Sequence, residues 1–339
     1  MNDRSALADR FIATTDWAGA LRKPLAGDAS NRRYERLFLN GRSAVLMDAP
    51  QEKGEDIRPF VRIARFLSGI GLSAPAILAQ DAEHGFLLLE DLGDDLFARV
   101  IPRQPELERP LYEAATDALV HLHREAPPED LKPYDPAVML DMAALAWRWY
   151  LGGALTEDAN SEQAFRAAFA LILQHHASET PVLIQRDYHA ENLLWLPDRD
   201  GPARVGLLDF QDAMAGHPAY DLVSVLQDAR RDVPPLIEEA MIARYVAATG
   251  LDDKAFRASY AVLGVQRNLR ILGVFGRLCL MGGKVHYVDL IPRVWNLMLR
   301  DLSHPALDPV ANLIIDALPA PTPEILKRLK DKCATIPKP

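Results

Sequence analysis

A chain of 339 residues, 49% hydrophobic and 25% charged, has the make-up of a soluble globular protein and is long enough to favour two domains over one core. Its formal net charge of −9 has the wrong sign for gripping a phosphate backbone, which argues against a nucleic-acid binder. Cys279 and Cys333 make neither a disulfide framework nor a zinc site, residues 1–20 lack a basic-then-apolar leader, and no apolar run approaches the ~20 residues of a membrane span, so a cytoplasmic protein with no membrane or obligate protein partner is expected.

Leu7, Phe11 and Ile12 give residues 5–13 one apolar helical face. Residues 27–34 are small and polar, as in a turn. Strands follow at 34–39 and 43–47, joined by Asn40-Gly41, the pair that best fits a tight hairpin. Ile57, Phe60, Val61, Ala64 and Leu67 recur at helical spacing. The apolar runs 76–79 and 86–89 flank a second hairpin, closed by Glu90-Asp91-Leu92-Gly93. The composition then turns helical: 106–124, 139–150, 162–178, 219–230, 235–248, 255–281, 288–302 and 306–318, with strand-like stretches only near 182–196 and 204–210. Residues 327–339 are polar and expected to be loosely held. The division predicted is 1–92, strand-rich, and 93–339, helical.

The chemistry sits in Gln185-Arg186-Asp187-Tyr188-His189-Ala190-Glu191-Asn192 and, 17 residues beyond Asn192, in Asp209-Phe210-Gln211. An acid and an amide five apart, followed by a second acid at the end of an apolar strand, is the pattern of phosphoryl transfer. Asp187 is the candidate catalytic base for an acceptor hydroxyl. Asn192 and Asp209 supply hard oxygen ligands suited to Mg2+. Taken singly, each residue is more often a turn or capping residue; their order and spacing together favour the chemistry.

These motifs, in this order, resemble the protein-kinase-like fold, and within it the aminoglycoside phosphotransferase family. Met47-Asp48-Ala49-Pro50, Arg186-Asp187-Tyr188-His189, Asp209-Phe210-Gln211-Asp212 and Gln266-Arg267-Asn268 are similar to the bacterial anomeric N-acetylmuramate/N-acetylglucosamine kinases of peptidoglycan recycling. The resemblance implies an α+β, bilobal fold: a small strand-rich N-lobe that binds nucleotide and a larger helical C-lobe. It also implies ATP and Mg2+ as cofactors and a small sugar as acceptor. Gly27 and Ser30 fall where a phosphate-covering loop belongs, though one glycine is a weak motif and a plain turn fits as well. Glu90 and Leu92 fall where a connector offers its backbone to adenine. His189 is placed either at the γ-phosphate or on a loop carbonyl, and Asp221 as a brace for the catalytic loop. For the acceptor, Arg186, Arg267 and Asn268 are candidates, each with a structural alternative, while Arg270 fits a solvent face. Trp147, Trp149 and Tyr150 fit either a sugar-stacking wall or core.

One departure stands out. The family carries a lysine in the third strand, paired to a helix glutamate, and here the strand ends Val45-Leu46-Met47-Asp48. Arg32, Arg33 and Lys53 are the nearest replacement cations, and the part of Glu55 is left open. Competing functions are an aminoglycoside or other small-molecule kinase and a non-catalytic nucleotide-binding regulator. An ordinary protein kinase is disfavoured, because only 11 residues separate Asp209 from Asp221.

Overall fold

The computed structural model describes residues 4–25, 31–178 and 181–337. In chain order the elements are α1 (Arg4–Ala13), β1 (Leu21–Leu25), β2 (Arg33–Leu39), β3 (Arg42–Asp48), α2 (Arg58–Gly69), β4 (Ile77–Asp81), β5 (Phe86–Glu90), α3 (Phe97–Arg103), α4 (Glu108–Leu122) and α5 (Pro136–Leu145). A π-type turn, Ala146–Leu151, leads to a short α6 (Gly152–Ala154). Then come α7 (Ala159–His176), β6 (Val182–Ile184), β7 (Leu193–Trp195), β8 (Val205–Leu207), β9 (Met214–Gly216), α8 (Ala219–Leu226), α9 (Pro235–Thr249), α10 (Asp253–Leu280), α11 (Ile291–Leu302), α12 (Asp308–Ala317) and α13 (Pro323–Asp331).

The chain forms two compact units, and their boundary differs from the division expected at residue 92. The first unit takes residues 1–122 and recovers 190–213; the second holds 123–189 and 214–339. Two helices after the connector, α3 and α4, thus belong with the strands. The reason is local. Leu207 N–H donates to Ser73 O at 2.9 Å, and Trp195 N–H to Asp95 O at 2.8 Å, so the β7–β8 ribbon is stitched to the first unit by backbone bonds.

In the first unit the sheet order is β1-β2-β3-β5-β4, with every neighbouring pair antiparallel. Asn40 (φ 51°) and Gly41 (φ 76°) both take the left-handed region, as a two-residue hairpin turn between right-twisted strands demands. β1 escapes the sequence pattern because Leu-Arg-Lys-Pro-Leu neither alternates nor lacks proline; as an edge strand it can hold Pro24. The core joins α1 to the sheet through Leu7, Phe11, Leu37, Leu46, Phe86 and Leu88.

In the second unit α10 is the central element, buried along most of its length and packed against α5, α8 and α11. Gly264 marks the closest approach. A Cβ there would lie 2.0 Å from Asp301 Oδ2, so Gly264→Ala should cost about 2–3 kcal/mol, read as a fall in the urea midpoint. A midpoint equal to wild type would mean that Asp301 moves aside freely. The tail is not loose throughout: α13 seats Leu329, which is fully buried.

Candidate functional site

Asn192 and Asp209 lie at one end of the β7–β8 ladder. The pairing Leu193↔Leu207 continues into a bond from Leu208 N–H to Asn192 O at 3.0 Å, so the residue after Leu208 emerges beside Asn192. Asp209 holds φ 58°, a left-handed conformation costly for a residue with a Cβ. Two contacts keep it there: Phe210 is fully buried with its ring 4.9 Å from that of Phe60 on α2, and Gln211 Nε2 donates to Asp209 Oδ1 at 2.7 Å. Local strain is thus held by packing, and it aims a carboxylate. An amide oxygen and a carboxylate at one ladder end fit magnesium, which takes few protein oxygens and shares the rest with phosphate and water.

On the nucleotide side of the sequence reading, Gly27 and Ser30 lie outside the described residues. Met47 is buried inside the sheet, opposite Tyr34 and Leu87, so the third strand presents no cation there. Arg32 does find a carboxylate: its Nε lies 2.9 Å from Glu55 Oε2, and each side chain is only 12% exposed. Asn31 fixes the same corner, its N–H donating to Glu55 Oε1 at 3.0 Å and its Nδ2 to Lys53 O at 3.1 Å. Arg33 points to an exposed position. Glu90 accepts from Arg199 Nη2 at 2.5 Å and from Ala76 N–H at 3.2 Å, tying the connector to the recovered segment. Leu92 packs against β8, where a Cβ on Gly206 would meet its Cδ1 at 3.3 Å.

In the second unit the loop that carries Asp187 leaves β6, which pairs with β9. Asp221, near the start of α8 and fully buried, accepts from Gln185 N–H at 2.6 Å and from Arg186 N–H at 2.9 Å. Burial pushes its carboxyl up to about 7, against the pull of those two donors. Arg186 sits at φ 73°, and its guanidinium lies 5.8 Å from the Tyr134 ring. Beyond this brace comes Asp187. Burial raises its carboxyl, but Arg270, His189, Arg186 and Arg267 together outweigh that and hold it below the ordinary value. A carboxylate kept ionised is the outcome. His189 is buried, and burial followed by the charge of Arg230 lowers its imidazole to about 4, so it is neutral at pH 7. Arg230 Nη1 lies 3.2 Å from His189 Nε2. A guanidinium only donates, which puts the neutral ring's proton on Nδ1.

Arg267 and Asn268 stand inside the unit. Arg267 donates to Ser224 Oγ at 2.8 Å, and Ser224 in turn donates to Arg186 O at 3.4 Å. Asn268, with no exposed surface, donates to Gln227 Oε1 at 3.0 Å, and Gln227 Nε2 donates to Asp301 Oδ1 at 3.1 Å. Gln266 reaches Tyr134 OH at 3.1 Å and Met139 O at 2.9 Å. Consecutive polar residues point around a helix, and α10 is covered on most sides, so each meets a different neighbour. Arg270, fitted by sequence to a solvent face, is instead half-buried beside Tyr220, Tyr134 and Asp187, which raise its pKa despite the cost of partial burial. Trp147 stacks on Phe165 at 4.3 Å, and Tyr150 donates to Pro319 O at 2.6 Å; both are core, not a wall for sugar. A surface cleft of about 490 Å3 between Asp232 and Arg300 includes none of the predicted site residues. Arg230 is the charged neighbour of the loop that sequence reading missed, since nothing in its local pattern marks it.

Residues 22–259 match the phosphotransferase enzyme family. The N-acetylmuramate/N-acetylglucosamine kinase of Caulobacter vibrioides is 39% identical over 345 residues, covering 90% of this chain and 94% of that protein. The Pseudomonas aeruginosa protein of the same name is 37% identical over 285 residues, covering 81% and 82%. Among solved structures, a choline/ethanolamine kinase family protein from Mesorhizobium loti superposes with TM-score 0.61 at 15% identity, covering 97% of this chain and all of that one. ADP-bound aminoglycoside phosphotransferase APH(2'')-Ib superposes with TM-score 0.59 at 16% identity, covering 93% and 99%. At such identities the likeness is one of fold: α+β and protein-kinase-like.

Proposed function

Because the chain belongs to the phosphotransferase enzyme family, we propose that it is an ATP-dependent kinase of an amino sugar, N-acetylmuramate or N-acetylglucosamine, acting at the anomeric hydroxyl. The observation that carries this is the 39% identity over 90% of the chain to a kinase of that name. The first unit, which carries Asn192 and Asp209, serves the nucleotide, and the second, which carries Asp187, serves the acceptor, in a cytoplasmic enzyme of cell-wall recycling.

Asp187 accepts the hydroxyl proton and aligns the oxygen; its lowered pKa keeps it ready at neutral pH. Asp221 holds the loop, and Arg267 supports it from within α10 through Ser224, so it positions the loop without touching sugar, while Asn268 holds Gln227. Asn192 and Asp209 hold Mg2+, which, when bound with the nucleotide, neutralises phosphate charge. Arg32 replaces the missing strand lysine, and Glu55 orients it. On this assignment Arg32→Met should raise the KM for ATP at least ~10-fold, the worth of a charge-assisted contact, and Glu55→Gln by less. An unchanged ATP KM in Arg32→Met would remove Arg32 from the nucleotide site.

The cations around Asp187 weigh between acceptors. Arg186, Arg267 and Arg270 suit a neutral or anionic sugar and disfavour a polycationic aminoglycoside. The Arg32–Glu55 pair weakens the case for a non-catalytic regulator, which rested on Met47 alone. A ³¹P NMR spectrum of the product formed from ATP and N-acetylmuramate tests the reading: an anomeric phosphate supports it, whereas a 6-phosphate, or no product with either sugar, overturns it.

A further inference from the structure

We propose that Arg230 is the residue that separates an anionic acceptor from a neutral one, by binding the lactyl carboxylate that N-acetylmuramate carries and N-acetylglucosamine lacks. The inference rests on the amino-sugar reading above and assigns its selectivity to one side chain.

The acceptor hydroxyl must reach Asp187, so the groups that can meet the rest of the sugar are those grouped around it in the second unit. Most of the cations there are already committed. Arg267 is buried and points its two terminal nitrogens at Gln227 O and Ser224 Oγ. Arg270 is half-buried beside Tyr134, Tyr220 and Asp187, where its charge balances the Asp187 carboxylate. Arg186 lies over Tyr134 on the strained loop itself.

Arg230 differs in three respects. It is exposed, on the turn that follows α8. It stands one side chain from the loop, through the 3.2 Å contact with His189, which is itself an electrostatic neighbour of Asp187. Its turn is fixed, because its backbone N–H donates to Asp228 Oδ1 at 2.8 Å. Two nearby surface arginines of this unit face carboxylates: Arg293 meets both oxygens of Asp232, and Arg300 both oxygens of Glu238. Arg230 faces a neutral imidazole, and among the described residues it forms no ion pair. One of its five donors is used on His189, which leaves the flat fork able to take a carboxylate with two bonds. Such a cation also gives a protein of net charge −9 a local place for an anion.

The test uses the full chain, with wild type, Arg230→Ala and Arg230→Lys assayed with ATP on both sugars and on the methyl ester of N-acetylmuramate. The ratio of kcat/KM for N-acetylmuramate over N-acetylglucosamine should fall at least ~10-fold in Arg230→Ala, through KM, and recover in part in Arg230→Lys. In wild type the methyl ester should lose a similar factor, and in Arg230→Ala it should match the free acid. A parallel loss on both sugars, or an unchanged ratio, overturns the assignment while leaving the kinase intact. A wild type that phosphorylates neither sugar overturns the kinase reading, and this inference with it. Should Arg230→Ala not fold, the ester comparison on wild type decides: equal rates for ester and acid reject a carboxylate contact.

Discussion

Asp187→Asn should lower kcat at least ~10²-fold with N-acetylmuramate and ATP, while KM for either changes little. Asparagine keeps the shape and can still accept a hydrogen bond, but it cannot take the proton as the hydroxyl oxygen attacks. The environment argues for a role in the transition state more than in binding. Arg270, Arg186 and Arg267 keep the carboxylate charged against the cost of burial, an arrangement with no evident structural use. Initial rates under saturating substrates measure the effect directly. A variant with near wild-type kcat would take the base role away from Asp187, and a variant altered only in KM would make it a binding residue.

The second large effect is expected at a residue that touches no substrate in this reading. Asp221→Ala removes the acceptor for two loop N–H groups, one of them on Arg186 at φ 73°. Buried donors left unsatisfied cost about 1–3 kcal/mol each, so the folded state should lose about 3 kcal/mol in urea unfolding. The rate should fall too, because the loop no longer holds the strained path that leads into Asp187; positional losses of this kind reach ~10². Stability and kcat should therefore fall together, in contrast to Asp187→Asn, where only the rate does. Full stability in Asp221→Ala would show that the loop has other support, Ser224 and Arg267 being the evident source.

Much of the proposed site was legible because phosphoryl transfer constrains residue type and spacing at once. Asp187, Asn192 and Asp209 could be picked out from order and separation, and the small strand-rich beginning from its two hairpins. The proposed replacement of the strand lysine was legible only as a short set of candidates. Arg32 and Arg33 are adjacent and chemically equal in sequence; contact with Glu55, 23 residues away, separates them. Side chains on α10 were misjudged for a related reason. Polarity marks a residue as needing a partner but does not say whether the partner is a ligand, as Arg267 and Asn268 expect, or Ser224 and Gln227, as the fold provides.

The sequence alone determined the chemistry of this protein and its fold class, since both follow from local patterns: an acid–amide–acid series, a hairpin pair, strands followed by helices. Tertiary structure decided the rest. The segment 190–213 left its neighbours in the chain for the first unit because backbone bonds to Ser73 and Asp95 hold it there. Arg270 changed from a solvent-facing residue to the counter-charge of Asp187, and Arg230 came to face His189 across 41 positions of chain. Charges act through space, and the distance that sets their effect is written in the fold, not in the order of residues.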